Sequence, residues 1–246
     1  MSGKLYIVPT PVGNLGDMTP RAVETLRAAD LVLCEDTRTS AVLLKHFDIT
    51  TPTASHHKYN EHETSARIVS RIVGGETIAL VSDAGTPGIS DPGFMLVREA
   101  RAAGVEVETL PGPTALIPAL VNSGLPCDRF TFEGFLPPKK GRRTRLEELA
   151  AEPRTFIIYE SPLRLAATLK ELADVCGGTR KAAVCREISK LHDTTHTGTL
   201  TELAQYFAEN QARGEIVVVI EGVASSAPKK VHRNKYRDNS DDNGEQ

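Results

Sequence analysis

The sequence predicts an α/β protein built as two α/β lobes, with the active site in the cleft between them. Short apolar runs alternate with stretches of helical spacing along most of the chain, the pattern of β-α units around a largely parallel sheet. The 246 residues are 40% hydrophobic and 25% charged, enough apolar material for one large domain or two smaller ones. Loops dense in glycine and proline follow several first-half strands, where open α/β sheets bind their ligands.

The first half runs as follows. "LYIVP" (Leu5–Pro9) reads as a buried strand. Thr19-Pro20 opens a helix, with Thr19 as the cap and Pro20 at the first helical position. "DLVLCE" is the second strand and "SAVLLKHF" a short helix. "ETSARIVSRIV" has helical spacing and stops at Gly74-Gly75, because glycine tolerates the left-handed turn that ends helices. "TIALVS" is another buried strand, "GFMLVREARAAG" a helix, "VEVETLPG" a strand and "PTALIPALVNSG" a helix.

A break at "SGLPCD" (Ser123–Asp128) separates the halves. Beyond it come a strand "RFTFEGFL", a helix "TRLEELAAE", a buried strand "TFIIYE" and a long helix "PLRLAATLKELADVCGG". "AAVCREI" and "TTHTGTL" read as strands, "TELAQYFAEN" as a helix and "EIVVVIEG" as the last strand. The expected division is residues 1–122, residues 123–223 and a charged tail, 224–246. The tail turns basic and then acidic with few apolar residues, a composition that predicts disorder.

Composition narrows the function classes. The formal net charge of -3 gives no global pull toward nucleic acid, so any such contact needs a local basic patch. The four cysteines form no C-x-x-C pair, which argues against zinc and against a disulfide framework. No metal site is expected. The N-terminus has no long apolar stretch of the signal-peptide kind, and no run approaches a membrane span. A reduced, soluble, cytoplasmic protein is expected.

The chemistry is expected in the loops. "PTPVGNLGD" (Pro9–Asp17) follows the first strand, "SDAGTPGISDPG" (Ser82–Gly93) follows the strand at Ile78–Val81, and "LPGPTA" (Leu110–Ala115) joins a strand to a helix. Glycine there permits positive φ and close approach of backbone to ligand. No G-x-x-x-x-G-K-[ST] and no G-x-G-x-x-G is present, so neither a P-loop nor a dinucleotide fingerprint is supported. Tight turns alone would be the alternative explanation for any single loop.

"VPTPVGNLGDMTPRA", "CEDTRTS", "SDAGTPGISDPG" and "LPGPTA", in this order and spacing, resemble the tetrapyrrole methylase superfamily of S-adenosylmethionine-dependent methyltransferases. "IYESPLRL" (Ile158–Leu165) and "CREISKLHD" (Cys185–Asp193) extend the resemblance over about Lys4 to Gly222. Tetrapyrrole-modifying members carry a G-G-D-P pattern where this chain has Ser82-Asp83-Ala84-Gly85. The difference favours the branch that methylates a cytidine ribose 2′-hydroxyl in the decoding region of 16S rRNA. The resemblance further implies a homodimer, a tetrapyrrole methylase-like fold, and S-adenosylmethionine folded into the cleft between the lobes. Members often carry a further C-terminal helical segment; this chain has a short charged tail instead.

On this resemblance the donor pocket comprises Pro11, Gly13, Asp83, Gly85, Thr86, Ile89, Pro113, Thr114 and Ala115, with Tyr159 from the second lobe. Asp83 would accept a hydrogen bond from the donor or complement its cationic end, against the alternative of an Asx-turn within its own loop. Arg38 would meet a phosphate or the reacting ribose, against the alternative of a helix cap with a local ion pair. Glu160 and Glu187, each ending a strand, are the candidate bases for the hydroxyl proton, though either could pair with Arg164 or Arg186. His56 and His57 are further acid-base candidates.

"PPKKGRRTR" packs Lys139, Lys140, Arg142, Arg143 and Arg145 into seven positions. Positive charge is unfavourable at a helix N-terminus, so an unopposed cluster there suggests RNA phosphates as its partner. The basic half of the tail, Lys229–Arg237, is a second candidate. Two rival readings remain at this stage: a methyltransferase acting on a tetrapyrrole or corrin precursor, and a non-catalytic RNA-binding module.

Overall fold

Five parallel strands form the first sheet: β1 (Lys4–Ile7), β2 (Leu31–Cys34), β3 (Thr53–Ser55), β4 (Ile78–Val81) and β5 (Glu106–Thr109), in the order β3-β2-β4-β1-β5. The structure, a computed structural model, describes residues 3–223. The tail expected from residue 224, with its basic half, lies outside the described residues.

β2 and β4 are buried along their whole length, which is why both read as unbroken apolar runs rather than alternating ones. Leu31, Leu33, Ile78 and Leu80 point to one face, under α3 (Glu61–Val73) and α4 (Phe94–Ala102). Val32, Cys34, Ala79 and Val81 point to the other, under α1 (Pro20–Ala28) and α2 (Thr37–His46). The Thr19 hydroxyl accepts from Ala22 N and Pro20 occupies the first helical position, as the sequence predicts. β3 is short and mostly exposed, so its three residues leave little apolar signal, and from sequence the strand before His56 reads only weakly.

The second sheet is mixed. β6 (Phe130–Phe135), β7 (Thr155–Glu160), β8 (Lys181–Arg186), β9 (Thr194–Thr199) and β10 (Ile216–Ile220) lie in the order β6-β7-β10-β8-β9. β6 and β7 are parallel; the remaining pairs are antiparallel. One face is covered by α6 (Arg142–Ala150), α7 (Leu165–Cys176) and α8 (Leu200–Glu209). α8 starts with a capping box between Thr199 and Glu202, which satisfies backbone donors at its N-terminus.

The opposite face of this sheet packs against α5 (Leu116–Asn122). Ala119 and Leu120 of α5 are buried with Ile157, Ala183, Cys185, Val217 and Val219. By chain order α5 precedes the break at Ser123–Asp128; by packing it belongs with the second sheet. The loop after β5 therefore starts on one lobe and ends on the other.

Parallel strands place all their C-terminal ends at one edge. The loops after β1, β2, β4 and β5 thus emerge together, opposite the C-terminal end of β7 and the N-terminal end of β10.

Candidate active site

The loops after β1 and β4 are tied by a two-bond bridge: Thr10 N donates to Gly85 O, and Gly85 N donates to Thr10 O, each at 2.9 Å. The buried Thr10 hydroxyl donates to Ser82 O at 3.0 Å. Thr86 Oγ1 donates to Pro113 O at 3.1 Å, which joins the loop after β5 to the same unit. Gly85 has φ +78, a backbone state in which glycine carries no steric penalty.

This unit forms one wall of a cavity of about 260 Å³ between the lobes. Val12, Gly85, Thr86, Ile89, Asp91, Thr114 and Ala115 line it from the first lobe side; Phe135, Tyr159, Glu160, Glu215 and Ile216 line it from the second. Tyr159 packs edge-on against Phe132 and Phe135, with ring centroids 4.9 and 5.7 Å away. Burial, and then the charge of Asp91, push its phenol up to about 12. The wall is mostly apolar with a few polar groups turned inward, the usual make-up of a small-molecule pocket. The residues present suit a donor carrying both an apolar body and hydrogen-bonding groups.

The structure divides the residues expected at the donor pocket. Gly85, Thr86, Ile89, Thr114, Ala115 and Tyr159 share this cavity. Pro11, Gly13, Asp83 and Arg38 line a different one, of about 570 Å³, which Thr10 of the bridge also lines. Pro113 lines a third, of about 660 Å³, which shares Val12 and Thr114 with the first.

Asp83 accepts from Asp36 N at 3.2 Å, and burial raises its carboxyl above the ordinary range. Asp36 is the cap of α2. It accepts from Arg38 N at 2.8 Å and pairs with the Arg38 guanidinium at 2.6 Å. The hydrogen bonds from the Arg38 side chain are the main cause holding Asp36 down at about 2. The cap-with-ion-pair alternative for Arg38 is therefore present, with its guanidinium otherwise open to solvent.

The two carboxylates expected as bases are both occupied. Glu160 is buried; it accepts from Ser161 N at 2.7 Å, from Thr168 Oγ1 at 2.6 Å and from Arg164 at 2.7 Å. Its oxygens serve the turn from β7 into α7. Glu187 accepts from Glu215 N at 2.9 Å and from Lys190 Nζ at 3.0 Å. Those bonds, the backbone one first, hold its carboxyl below the ordinary value, the wrong direction for a base. These partners are the ion-pairing alternative to a free base, with Arg164 on Glu160 and Lys190 on Glu187. The sequence suggested Arg186 as a partner for Glu187, whereas Lys190 and a backbone amide take that place.

The stretch "CREISKLHD" acts instead as a clasp between lobes. A Cβ on Gly13 would sit 2.2 Å from Lys190 Cγ, so only glycine lets the second lobe lie so close. Ser189 Oγ donates to Asp17 Oδ2 at 2.5 Å across the same seam. His56 is fully buried, with Nδ1 2.9 Å from Thr64 Oγ1, and burial lowers its pKa; it does not line the cavity. His57 Nδ1 accepts from Tyr59 N within its own loop.

The basic run is mostly opposed by acids. Arg142 pairs with Glu171 at 2.7 Å and also donates to Thr168 Oγ1 and Pro137 O. Arg143 pairs with Glu147 at 2.9 Å, and Arg145 with Glu133 and Glu148. Among the described residues, Lys139 and Lys140 have no ion pair, and both are exposed. The expectation of an unopposed five-residue cluster is corrected to these two lysines, because Glu147 and Glu148 meet Arg143 and Arg145 along α6 while folding brings Glu171 and Glu133 to Arg142 and Arg145.

Sequence reasoning passed over Asp91. It lies six residues past Gly85 on the same loop, after Ser90, whose φ is +68. A left-handed serine is unusual backbone, and it sits next to a carboxyl that faces the cavity. Burial, then the charges of Glu35 and Asp83, push this carboxyl up to about 7. The "SDPG" that ends the loop was the available signal.

Comparison with known proteins follows the same lines. The tetrapyrrole (corrin/porphyrin) methylases match residues 4–204. A protein of Xylella fastidiosa called ribosomal RNA small subunit methyltransferase I is 52% identical over 232 residues, 93% of this chain and 85% of that protein. Its namesake from Pseudomonas aeruginosa is 53% identical over 224 residues, 90% of this chain and 79% of that protein. Among solved structures, a uroporphyrin-III C-methyltransferase of Thermus thermophilus complexed with S-adenosyl homocysteine has a TM-score of 0.63 at 20% identity, covering 89% of this chain and 97% of that one. A cobalt precorrin-4 methyltransferase has a TM-score of 0.66 at 18% identity, covering 89% and 94%. At such identity these two likenesses speak to the fold.

Proposed function

The chain belongs to the tetrapyrrole methylase family, and from that membership we propose that it is an S-adenosylmethionine-dependent methyltransferase acting on small-subunit ribosomal RNA. Its target is the ribose 2′-hydroxyl of a cytidine in the decoding region of 16S rRNA. The observation that carries the ribosomal RNA reading is the 52% identity across 93% of the chain to a protein named as a small-subunit ribosomal RNA methyltransferase. The two methyltransferase structures compared above share only 18–20% of their residues with this chain.

S-adenosylmethionine supplies an activated methyl group on a sulfonium, so the protein has to align, desolvate and remove one proton. Gly85, Thr86, Ile89, Thr114, Ala115 and Tyr159 are proposed to hold the donor. Pro11, Gly13, Asp83 and Pro113 act one step out, by fixing the loops around the Thr10–Gly85 bridge. Val12, Ile89, Phe135 and Ile216 offer apolar surface that keeps water from the reacting atoms. Arg38, exposed beside the second cavity, and Lys139 and Lys140 are proposed to meet RNA phosphates, which position a substrate without reading its sequence. The partner is 16S rRNA within the small ribosomal subunit, the location the cytoplasm, and the working state a homodimer. Among the described residues no helix is long and apolar enough to cross a membrane.

The test is mass spectrometry of 16S rRNA from cells with and without the gene. One 2′-O-methyl mark in the decoding region should vanish in the deletion and return when the gene is restored. An unchanged set of 16S rRNA methylations would sink the proposal, and a binding-only module would also fail to bind S-adenosylmethionine in calorimetry.

A further inference from the structure

We propose that Asp91 is the base that takes the ribose hydroxyl proton during methyl transfer, a role that rests on the methyltransferase reading above. Three carboxylates line the cavity between the lobes: Asp91, Glu160 and Glu215. Glu160 has its oxygens filled by Ser161 N, Thr168 and Arg164. Glu215 is exposed and pairs with Lys190 at 3.2 Å. Asp91 is half-buried, and among the described residues no hydrogen bond or ion pair engages its carboxyl. It is held on a loop that the Thr10–Gly85 bridge makes part of the cavity wall, so it is preplaced without being used up.

The step balances. The ribose oxygen forms a bond to the methyl carbon as the carbon–sulfur bond breaks. The bonding pair stays on sulfur, which becomes a neutral thioether. The hydroxyl proton moves to Asp91, so one positive and one negative charge disappear together. A neutral hydroxyl is a poor nucleophile, and a positioned base typically contributes ~10²–10⁴-fold.

The surroundings set the protonation of this group. From the first lobe, Glu35 after β2 and Asp83 on the same loop face it with like charge, with Arg38 beyond Asp83. From the second lobe come the Tyr159 phenol, Glu160 with its Arg164, and Glu215 with its Lys190. Burial and the like charges place its titration at about 7 in the free protein. A cationic sulfonium bound nearby favours the ionised form and draws the midpoint lower. Donor binding would thus arm the base.

The experiment uses the full chain, purified small subunits and S-adenosylmethionine. The carboxyl carbon of Asp91, identified by its loss in Asp91→Asn, is followed by NMR titration in the free protein. Its midpoint should lie near 7 and fall when the donor is added. At saturating donor, Asp91→Asn should lose ~10²–10⁴ in turnover, while calorimetric affinity for the donor falls by no more than the factor that the donor-induced shift of the midpoint implies. It should also lose the rise of turnover with pH, and Asp91→Glu should restore both in part. A midpoint near the ordinary carboxylate value, full turnover in Asp91→Asn at saturating donor, or a loss of donor affinity beyond the factor set by the midpoint shift would each overturn the role. A parent protein that methylates no small-subunit RNA overturns the function reading itself, and this role with it.

Discussion

Thr10 and Gly85 exchange both of their backbone hydrogen bonds, each 2.9 Å long, although the residues belong to loops after different strands. That single antiparallel bridge makes the two glycine-rich loops one rigid wall.

Replacing Gly85 by valine therefore tests the wall. A Cβ there would meet Val12 Cγ1 at 3.6 Å, an ordinary contact, so crowding is not the fault. The fault is φ +78, a state that costs a β-branched residue about 1–3 kcal/mol. The loop should relax, open the bridge and lower donor affinity by roughly tenfold or more, since each ~1.4 kcal/mol is a factor of ten. Circular dichroism should still report a folded chain. Calorimetry that finds the parent's affinity in a folded variant would take this loop out of the donor site.

Glu160→Gln and Glu187→Gln separate a base from a strut. Glu160 is buried and pairs with the partly exposed Arg164, and the amide would turn a donor toward Ser161 N or Thr168 and leave the Arg164 guanidinium without its charged partner. The expected result is a stability loss of about 2 kcal/mol by thermal or urea unfolding, the range for a hydrogen bond to a charged group. Turnover per folded molecule should fall far less than the ~10²–10⁴ of a lost base. For Glu187 the lowered carboxyl contributes stability that is present at neutral pH. That stability disappears as pH falls from the ordinary carboxylate value through the lower folded one. Glu187→Gln should flatten this acid limb and leave turnover near the parent's. A loss of several hundredfold in either variant, with donor binding intact, would return that residue to the chemistry.

The basic run divides by partner. Lys139→Ala with Lys140→Ala should weaken RNA binding and make its salt dependence shallower, by roughly one unit of slope per lost contact. Donor affinity and melting temperature should stay put, because neither lysine is ion-paired within the described residues. Arg142→Ala should do the reverse. It removes contacts to Glu171, Thr168 and Pro137 O, so stability should drop while the salt slope changes little. Binding measured at several salt concentrations decides it: an unchanged slope in the double lysine variant would mean that the RNA docks elsewhere.

The sequence by itself determined the parts whose physics is local. Leu31–Cys34 and Ile78–Val81 are unbroken apolar runs because both faces of their sheet are covered, and burial of that kind is written directly into composition. Thr19 and Pro20 mark a helix start within four residues of chain. Glycines and prolines crowd the loops that must turn sharply beside a ligand, so the site's neighbourhood was legible as well. Tertiary structure alone decided which charged groups remain free. Glu160, Glu187 and Asp91 look alike as letters. The first is filled by Arg164 and Thr168 across a turn and the second by the distant Glu215 amide, while the third is left open on a loop pinned by Thr10. In the same way Glu171 reaches Arg142 across 29 positions of sequence, and α5 crosses to the second sheet to bury Ala119 and Leu120. A side chain's availability depends on neighbours brought together by folding, and a one-dimensional pattern carries no record of those distances.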